Sequence, residues 1–488
     1  MEALHGVINE INSFIWTYVI IVALIGSGII YTLRTKFVQV RLLGEMIRLI
    51  FGSAGQKTAG KEISGFQAFC VSTASRVGVG NIAGVAIAIV TGGPGAVFWM
   101  WLIAFIGCAT GFVESTLAQI YKIPRGDGAF FGGPAYYMKN ALRMTGLAKL
   151  FAVLISVTFG WIYVSVQANT IVGAVETAFG IDHAITAFVV AGLTALVIFG
   201  GVTRIAKFAE MLVPSMAGLY LLSALIIVVM NIGEVPAMFA LIIHDAFSPQ
   251  AAVGGGFGAV FMTGVRRGLF SNEAGEGSVP NAAATASGLH PVRQGLIQSF
   301  GVYVDTWLVC SATAFSVLLT GEYVIGGELT GVSLVQMSLA SVFGSFAPHI
   351  LAVIVFLFAF SSIVGNYFYG EVNIAFFEGD ESGFLPSNVS RHAMNFFRVG
   401  VVAMVLVGAF AELSLVWDAA DLFMGFLCLT NLYAVARLCK YAFIVLDDYT
   451  AQKNRGIAEP VFNVNIMPDT KGIKTWGVEG GGAKRVIR

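Results

Sequence analysis

Charged residues are scarce: they make up 11 % of the 488 residues, where an ordinary soluble domain carries about a quarter. A soluble body of this length has too much surface to cover with so few charges. Neither sign is in excess, with 28 basic and 28 acidic residues, so no polyanionic partner such as nucleic acid is implied. Cysteine is sparse. Cys70, Cys108, Cys310, Cys428 and Cys439 all sit in or beside apolar runs, without C-x-x-C spacing. That pattern argues against a disulfide framework and a zinc site. The six histidines show no clustered spacing, so no metal centre is expected from them. No nucleophile–base set is visible, so an enzyme is not expected.

Hydrophobic residues, by contrast, form 57 % of the chain. A membrane-spanning helix needs about 20 mostly apolar residues. Eleven such runs are expected, at 13–33, 64–91, 94–121, 147–179, 183–201, 207–231, 251–270, 293–320, 347–369, 396–412 and 415–446. They are too long and unbroken for barrel strands. The leader before the first run carries Glu2 and Glu10 and no Lys or Arg, which is not a signal-peptide pattern. The fold expected is an all-α polytopic membrane protein.

Basic residues alternate between the connections. Arg34, Lys36, Arg41, Arg48, Lys57 and Lys61 follow the first run, and Lys122, Arg125, Lys139 and Arg143 the third. Intervening connections carry Asp182, Glu234, Asp245, Glu322, Glu328 and Glu412 instead. Positive charge stays in the cytoplasm. The N-terminus is therefore expected outside and the C-terminus inside the cell membrane. The amphipathic stretch 37–52 would lie along the inner surface. Residues 451–488 read as a flexible cytoplasmic tail.

Two runs are interrupted. The second holds Gly78, Gly80, Asn81 and Gly84 in its middle. The seventh breaks at Gly268, Ser271, Asn272, Glu273, Gly275 and Gly277. Irregular backbone survives at membrane depth only where a ligand or a cavity satisfies it. The breaks lie five runs apart. One extra N-terminal helix (13–33) and two five-helix halves, 64–231 and 251–446, would put each break in the first helix of its half. That is the arrangement of inverted-repeat transporters, with substrate and ion at the broken helices. Free N–H groups at one half-helix end suit a carboxylate, and free carbonyls at the other suit Na⁺ or an ammonium group.

The stretches GNIAGVA (80–86), GGPGAVFWMW (92–101), GGPAYYM (132–138), GLFSNEAGEGSVPNAAA (268–284) and FAFSSIVGNYFYGE (358–371) resemble the alanine or glycine:cation symporter family. The likeness covers nearly all of residues 10–450. It implies a fold similar to the bacterial leucine transporter, Na⁺ as coupling ion, small neutral amino acids as substrates and no prosthetic group. No obligate protein partner is evident. Two positions depart from the common pattern: Val79 stands where many members have threonine, and Asn366 where many have tryptophan. Both point toward a subgroup that includes glutamine carriers, which keeps glutamine open as the main substrate. Proton coupling is the other alternative.

The expected substrate pocket is Gly78, Val79, Gly80, Asn81, Tyr163, Gln167, Phe270, Ser271, Asn272 and Asn366. The fold that the resemblance implies would set the hydroxyls of Ser361 and Ser362 against the carbonyls of Ala74 and Val77 as the Na⁺ site, back-bonding of each hydroxyl to its own helix being the alternative. Arg76 and Glu273 are expected to gate the inner path, Glu273 and Glu276 pairing with Arg76, Arg266 or Arg267. Asn169 should bond a neighbouring helix. Glu114 and Glu210 should pair with loop cations. Asp305, Asp418 and Asp421 should make helix-to-helix hydrogen bonds, with a proton or second-ion role as the alternative.

Overall fold

The computed structural model describes residues 2–55, 62–125, 129–199, 202–248, 256–377 and 387–476. Lys57 and Lys61, two members of the first basic cluster, lie outside the described residues. The chain is helical almost throughout; a two-stranded ribbon pairs Ile123 with Phe131 and Pro124 with Phe130.

Eight helices among the described residues are long and apolar enough to cross a membrane. They are Gly6–Arg34, Ala96–Ile120, Thr145–Phe179, Lys207–Met230, Pro291–Thr320, Ala347–Ala375, Arg391–Phe410 and Leu413–Asn454. The bent pair Gly65–Arg76 and Gly80–Gly92 makes a ninth if taken as one span. This corrects the expected eleven. The run at 183–201 yields a helix of 16 residues, His183–Ile198, about 24 Å long against a hydrocarbon core of about 30 Å. The run at 251–270 yields the 17-residue helix Gly256–Asn272, which carries Arg266 and Arg267 inside it. With eight or nine spans, the five-plus-five halves and the likeness to the leucine transporter drawn from them fall away. The chain remains an all-α, multi-pass membrane protein.

Large apolar side chains cover the outside: Leu196, Val229, Met230 and Phe396 are each more than half exposed, as a lipid-facing surface requires. The middle is packed through small residues. A side chain added at Gly295 would come 2.9 Å from the Phe112 carbonyl oxygen, so helices Pro291–Thr320 and Ala96–Ile120 touch backbone to backbone. Thr116, Cys108 and Ser299 line the same seam, and Ser299 donates to the Cys108 carbonyl at 2.8 Å.

The amphipathic stretch forms two short helices, Val38–Arg41 and Leu43–Ser53, the second with Met46, Leu49 and Ile50 buried. Residues 451–476 of the tail are not loose, and residues 477–488 lie outside the described residues. Leu413–Asn454 continues through 451–454, and residues 455–476 then fold back as a strap across one end of the molecule. Phe462 N donates to Leu289 O at 2.9 Å. Thr475 donates to Lys122 O and Trp476 to Gln119 O, both at 2.8 Å. Met467 and Ile473 are buried, which is the apolar anchorage a polar reading of this stretch overlooks. Lys122 sits under the strap between the rings of Phe130 and Trp476, and its ammonium donates to Ala286 O at 2.7 Å. Burial pushes its pKa down to about 7. A cavity of about 230 Å³ lies beneath, lined by Glu62, Gln119, His290, Arg293, Gln294 and Glu459 among others.

Candidate functional site

The first break starts from a firm helix. Ser64 and Gln67 cap Gly65–Arg76 reciprocally, each backbone N–H donating to the other side chain at 3.1 Å. The helix stops when Gly78 N donates to Arg76 O and to Asn81 Oδ1, both at 2.9 Å, instead of to Ala74 O. Asn81 N turns to Gly78 O at 3.2 Å and leaves Val77 O. Two carbonyls are thus released from the helix. The chain resumes as a widened π-helical turn, Gly80–Gly84, a device common at functional sites. The two halves meet at a bend of 53°.

Helix Ala347–Ala375 lays its serines against those carbonyls. Ser362 Oγ lies 3.0 Å from Ala74 O and 3.5 Å from Val77 O. Ser361 Oγ lies 3.4 Å from Ala74 O. Both hydroxyls also reach Phe358 O one turn back, at 3.1 and 2.8 Å. Donation to Phe358 would leave their lone pairs facing Ala74 and Val77. The four groups expected to hold Na⁺ are therefore brought together, and every one of these residues is buried.

The second break ends helix Gly256–Asn272. Glu273, Gly275 and Gly277 take left-handed or related positive-φ backbone before the short helix Val279–Thr285. The two breaks touch. Asn81 Nδ2 donates to Ser271 Oγ at 3.0 Å and to Asp305 Oδ1 at 2.7 Å. A methyl group on Gly80 would lie 2.8 Å from the Phe270 ring. Gln167, on helix Thr145–Phe179, accepts from Val79 N at 3.1 Å. The Tyr163 ring packs against Phe270 at 4.8 Å, and Phe270 against Trp417 at 4.7 Å. Gly78, Val79, Gly80, Asn81, Tyr163, Gln167, Phe270 and Ser271 thus form one closed cluster with buried backbone amides inside an aromatic cover.

Asn272 and Asn366 are placed differently. Asn272 Oδ1 accepts from Ala274 N at 3.0 Å and shapes its own turn. Asn366 stands one turn below Ser362, where Ser75 Oγ lies 2.6 Å from its Oδ1 and 2.8 Å from Glu273 Oε1. The amide nitrogens of both asparagines are buried with no hydrogen-bond partner.

The expected gating pairs do not form. Arg76 donates to Gln298 O and Oε1 at 3.2 and 3.3 Å. Arg267 pairs with Asp421 Oδ1 and Oδ2, and Arg266 lies 3.7 Å from the same carboxylate. Glu273 takes hydroxyls from Ser75 and Ser278, and Glu276 takes the Tyr163 hydroxyl at 3.2 Å. Neutral donors at short range satisfy these carboxylates without placing a guanidinium in the packed break. Glu114 likewise accepts from Asn431 at 2.8 Å and Gly275 N at 3.3 Å, not from a loop cation, because it lies mid-helix and fully buried. Glu210 accepts from Gln67 at 2.9 Å. Asp421 makes the expected helix-to-helix hydrogen bonds, with Arg267 and as an ion pair, and Asp418 accepts through its backbone from Asn12 at 2.9 Å. Asn169 bonds the neighbouring helix at Gly408 O and Ala411 O, at 3.0 and 2.8 Å. Gln298, Trp417 and Asn431 were not anticipated. A signal for Gln298 was present: Gln294, Gln298 and Asp305 recur on one face of an apolar run.

The sodium:alanine symporter family matches residues 1–464. The chain is 48 % identical over 477 residues to the probable sodium/glutamine symporter GlnT of Bacillus subtilis, covering 98 % of this chain and 97 % of that one. It is 42 % identical to the putative sodium/proton-dependent alanine carrier protein YrbD of the same organism, with 96 % of each chain covered. It is 38 % identical to the sodium/alanine symporter AgcS of Methanococcus maripaludis, covering 89 % of this chain and 94 % of that one. The chain belongs to the sodium:alanine symporter family. It is a sodium-coupled carrier of small neutral amino acids and not an enzyme.

Proposed function

We propose that this sodium:alanine symporter family member imports alanine or glycine with Na⁺ by alternating access, and that both bind where its two broken helices meet. The observation that carries the reading is the pair of freed carbonyls, Ala74 and Val77, facing Ser361 and Ser362 beside the cluster under Phe270. Hydroxyl and carbonyl oxygens without a fixed charge suit a monovalent cation. Backbone N–H groups at the restart of the first broken helix suit the substrate carboxylate. The aromatic cover of Tyr163, Phe270 and Trp417 limits side-chain size.

The basic connections gather at the strap end, where Arg48 reaches Ala458 O at 3.4 Å and Arg293 reaches Glu459 at 3.6 Å. This supports placing the strap and C-terminus in the cytoplasm and the N-terminus outside. The unpartnered amide of Asn366 favours a second reading, a substrate with a side-chain amide such as glutamine, which the name of the relative GlnT also carries.

The test is uptake of labelled alanine by purified protein in liposomes under an inward Na⁺ gradient, with K⁺-only controls. Na⁺-driven uptake blocked mainly by excess glycine supports the small-substrate reading. Block mainly by glutamine supports the second. Uptake that ignores Na⁺ and follows a pH gradient would overturn both.

A further inference from the structure

Four carboxylates are sealed around the two breaks: Glu114, Glu273, Glu276 and Asp305, each no more than 2 % exposed. Other deep carboxylates have cations beside them. Asp421 has Arg267, and Glu371 has Arg398 at 3.2 Å. Among the described residues, Arg76 forms no ion pair with any of the four; its guanidinium is turned to Gln298. A buried charge without a partner is expensive in a membrane interior. Neutral donors meet all four, and an ionised form of any of them would gain further from a cation at short range.

Three of them tie the loop of the second break to its surroundings. Glu114 holds Gly275 N and Asn431, Glu273 holds Ser278 and Ser75, and Glu276 holds Tyr163. Asp305 is different. It comes from a widened turn, Tyr303–Cys310, of helix Pro291–Thr320, and it projects to the contact between the breaks. Its Oδ2 faces two hydroxyls, Ser271 Oγ at 2.5 Å and Thr306 Oγ1 at 2.9 Å. Its Oδ1 faces the Asn81 amide at 2.7 Å. Ser271, Thr306 and Asn81 are all fully buried. Two carboxylate oxygens and two hydroxyl oxygens form a hard donor set. One carboxylate balances one positive charge, so the set suits a monovalent rather than a divalent cation, which gathers more oxygens and more charge.

We propose that Asp305, Ser271 and Thr306 form a second Na⁺ site, separate from the one at Ser361 and Ser362, so that two Na⁺ accompany each amino acid. The proposal rests on the symporter reading above. Asn81 gives the site its link to substrate. Its Nδ2 touches Asp305 and Ser271, while its Oδ1 accepts from Gly78 N in the first break. An ion drawing on Asp305 and Ser271 thereby acts through one side chain on the backbone that would hold the amino acid, which is the contact coupling requires.

The experiment measures charge moved per labelled alanine in liposomes, from reversal potentials, for the full-length protein and for Asp305→Asn. The wild type should move two positive charges per alanine with a Na⁺ Hill coefficient above one. Asp305→Asn should move one, with a Hill coefficient near one, and Asp305→Glu should regain part of the second. Wild-type uptake that does not need Na⁺ sinks the symporter reading itself. Na⁺-driven wild-type uptake with one charge per alanine, or Asp305→Asn that keeps two, overturns only the second site. If Asp305→Asn is inactive, binding of radioactive sodium to the purified, monodisperse variant decides: one ion per chain instead of two supports the site, and two overturns it. If that variant does not fold, Thr306→Val carries the test. A Na⁺ half-saturation raised by about tenfold supports the site, and an unchanged value overturns it. Proton uptake lost with Asp305→Asn while the Na⁺ count stays the same would make Asp305 a proton carrier and also overturn it.

Discussion

A methyl group added at Gly365 would sit 2.8 Å from Ser75 N and 3.0 Å from its Cα. Backbone on the far side cannot retreat, because Ser75 is held by both Glu273 and Asn366. Gly365→Ala is expected to destabilise by about 1–3 kcal/mol, read as an earlier thermal transition in detergent; an unchanged transition would mean that the helices have slack. Ser362→Ala removes one oxygen of the proposed Na⁺ site and leaves the substrate cover alone. It should raise the Na⁺ half-saturation by about tenfold, equivalent to about 1.4 kcal/mol, while alanine affinity at saturating Na⁺ moves little. The Arg267–Asp421 pair is buried on both sides. Arg267→Leu leaves Asp421 with Arg266 at 3.7 Å as its nearest cation and should cost about 3–5 kcal/mol, as broken buried pairs do. The family likeness set Ser361 and Ser362 against Ala74 and Val77; the residues by themselves said only that a glycine break frees carbonyls and that hydroxyls inside an apolar run need partners. Neither placed Arg76 on Gln298. Their contact joins positions 222 residues apart, and which neutral group a buried guanidinium meets depends on how two helices dock, not on either helix alone.

Three of the helices that build the site contain widened turns, at Gly80–Gly84, Thr158–Tyr163 and Tyr303–Cys310. Glycine and asparagine announced the first. The other two, TFGWIY and YVDTWLVC, carry single glycine or polar residues that also suit an ordinary helix, so the breaks were legible while these bulges were not. The span count failed for a related reason. Hydropathy measures how far an apolar run extends, whereas a helix such as His183–Ile198 stops where its own backbone turns. The strap was missed because its few anchors, Phe462, Met467, Ile473 and Trp476, are spread over a polar stretch. Its lysine contact gives a test in pH. Burial holds Lys122 near 7 in the folded protein, below lysine's ordinary value near 10.5. The folded state thus binds fewer protons than the unfolded state between those values, and stability rises with pH across that window. The difference in thermal stability between wild type and Lys122→Met should be flat below about 7 and should shift in favour of the wild type as pH climbs toward 10. A difference that is flat throughout would mean that Lys122 is charged in place.

At the scale of the whole molecule, the cluster at the two breaks is buried under its aromatic cover. One charge falling through 100 mV supplies about 2.3 kcal/mol, and a tenfold Na⁺ gradient supplies about 1.4 more. One Na⁺ per zwitterion therefore supports roughly 500-fold accumulation of alanine. Two would square that figure, so the static head reached in tight liposomes is a second, independent count of ions. The strap also has a consequence for how the protein is made. Trp476 bonds a carbonyl 357 positions earlier in the chain. The end of helix Ala96–Ile120 is synthesised early and stays uncovered until residues 455–476 have been made. A chain shortened before residue 455 would keep its apolar helices and leave that end of the molecule unsealed.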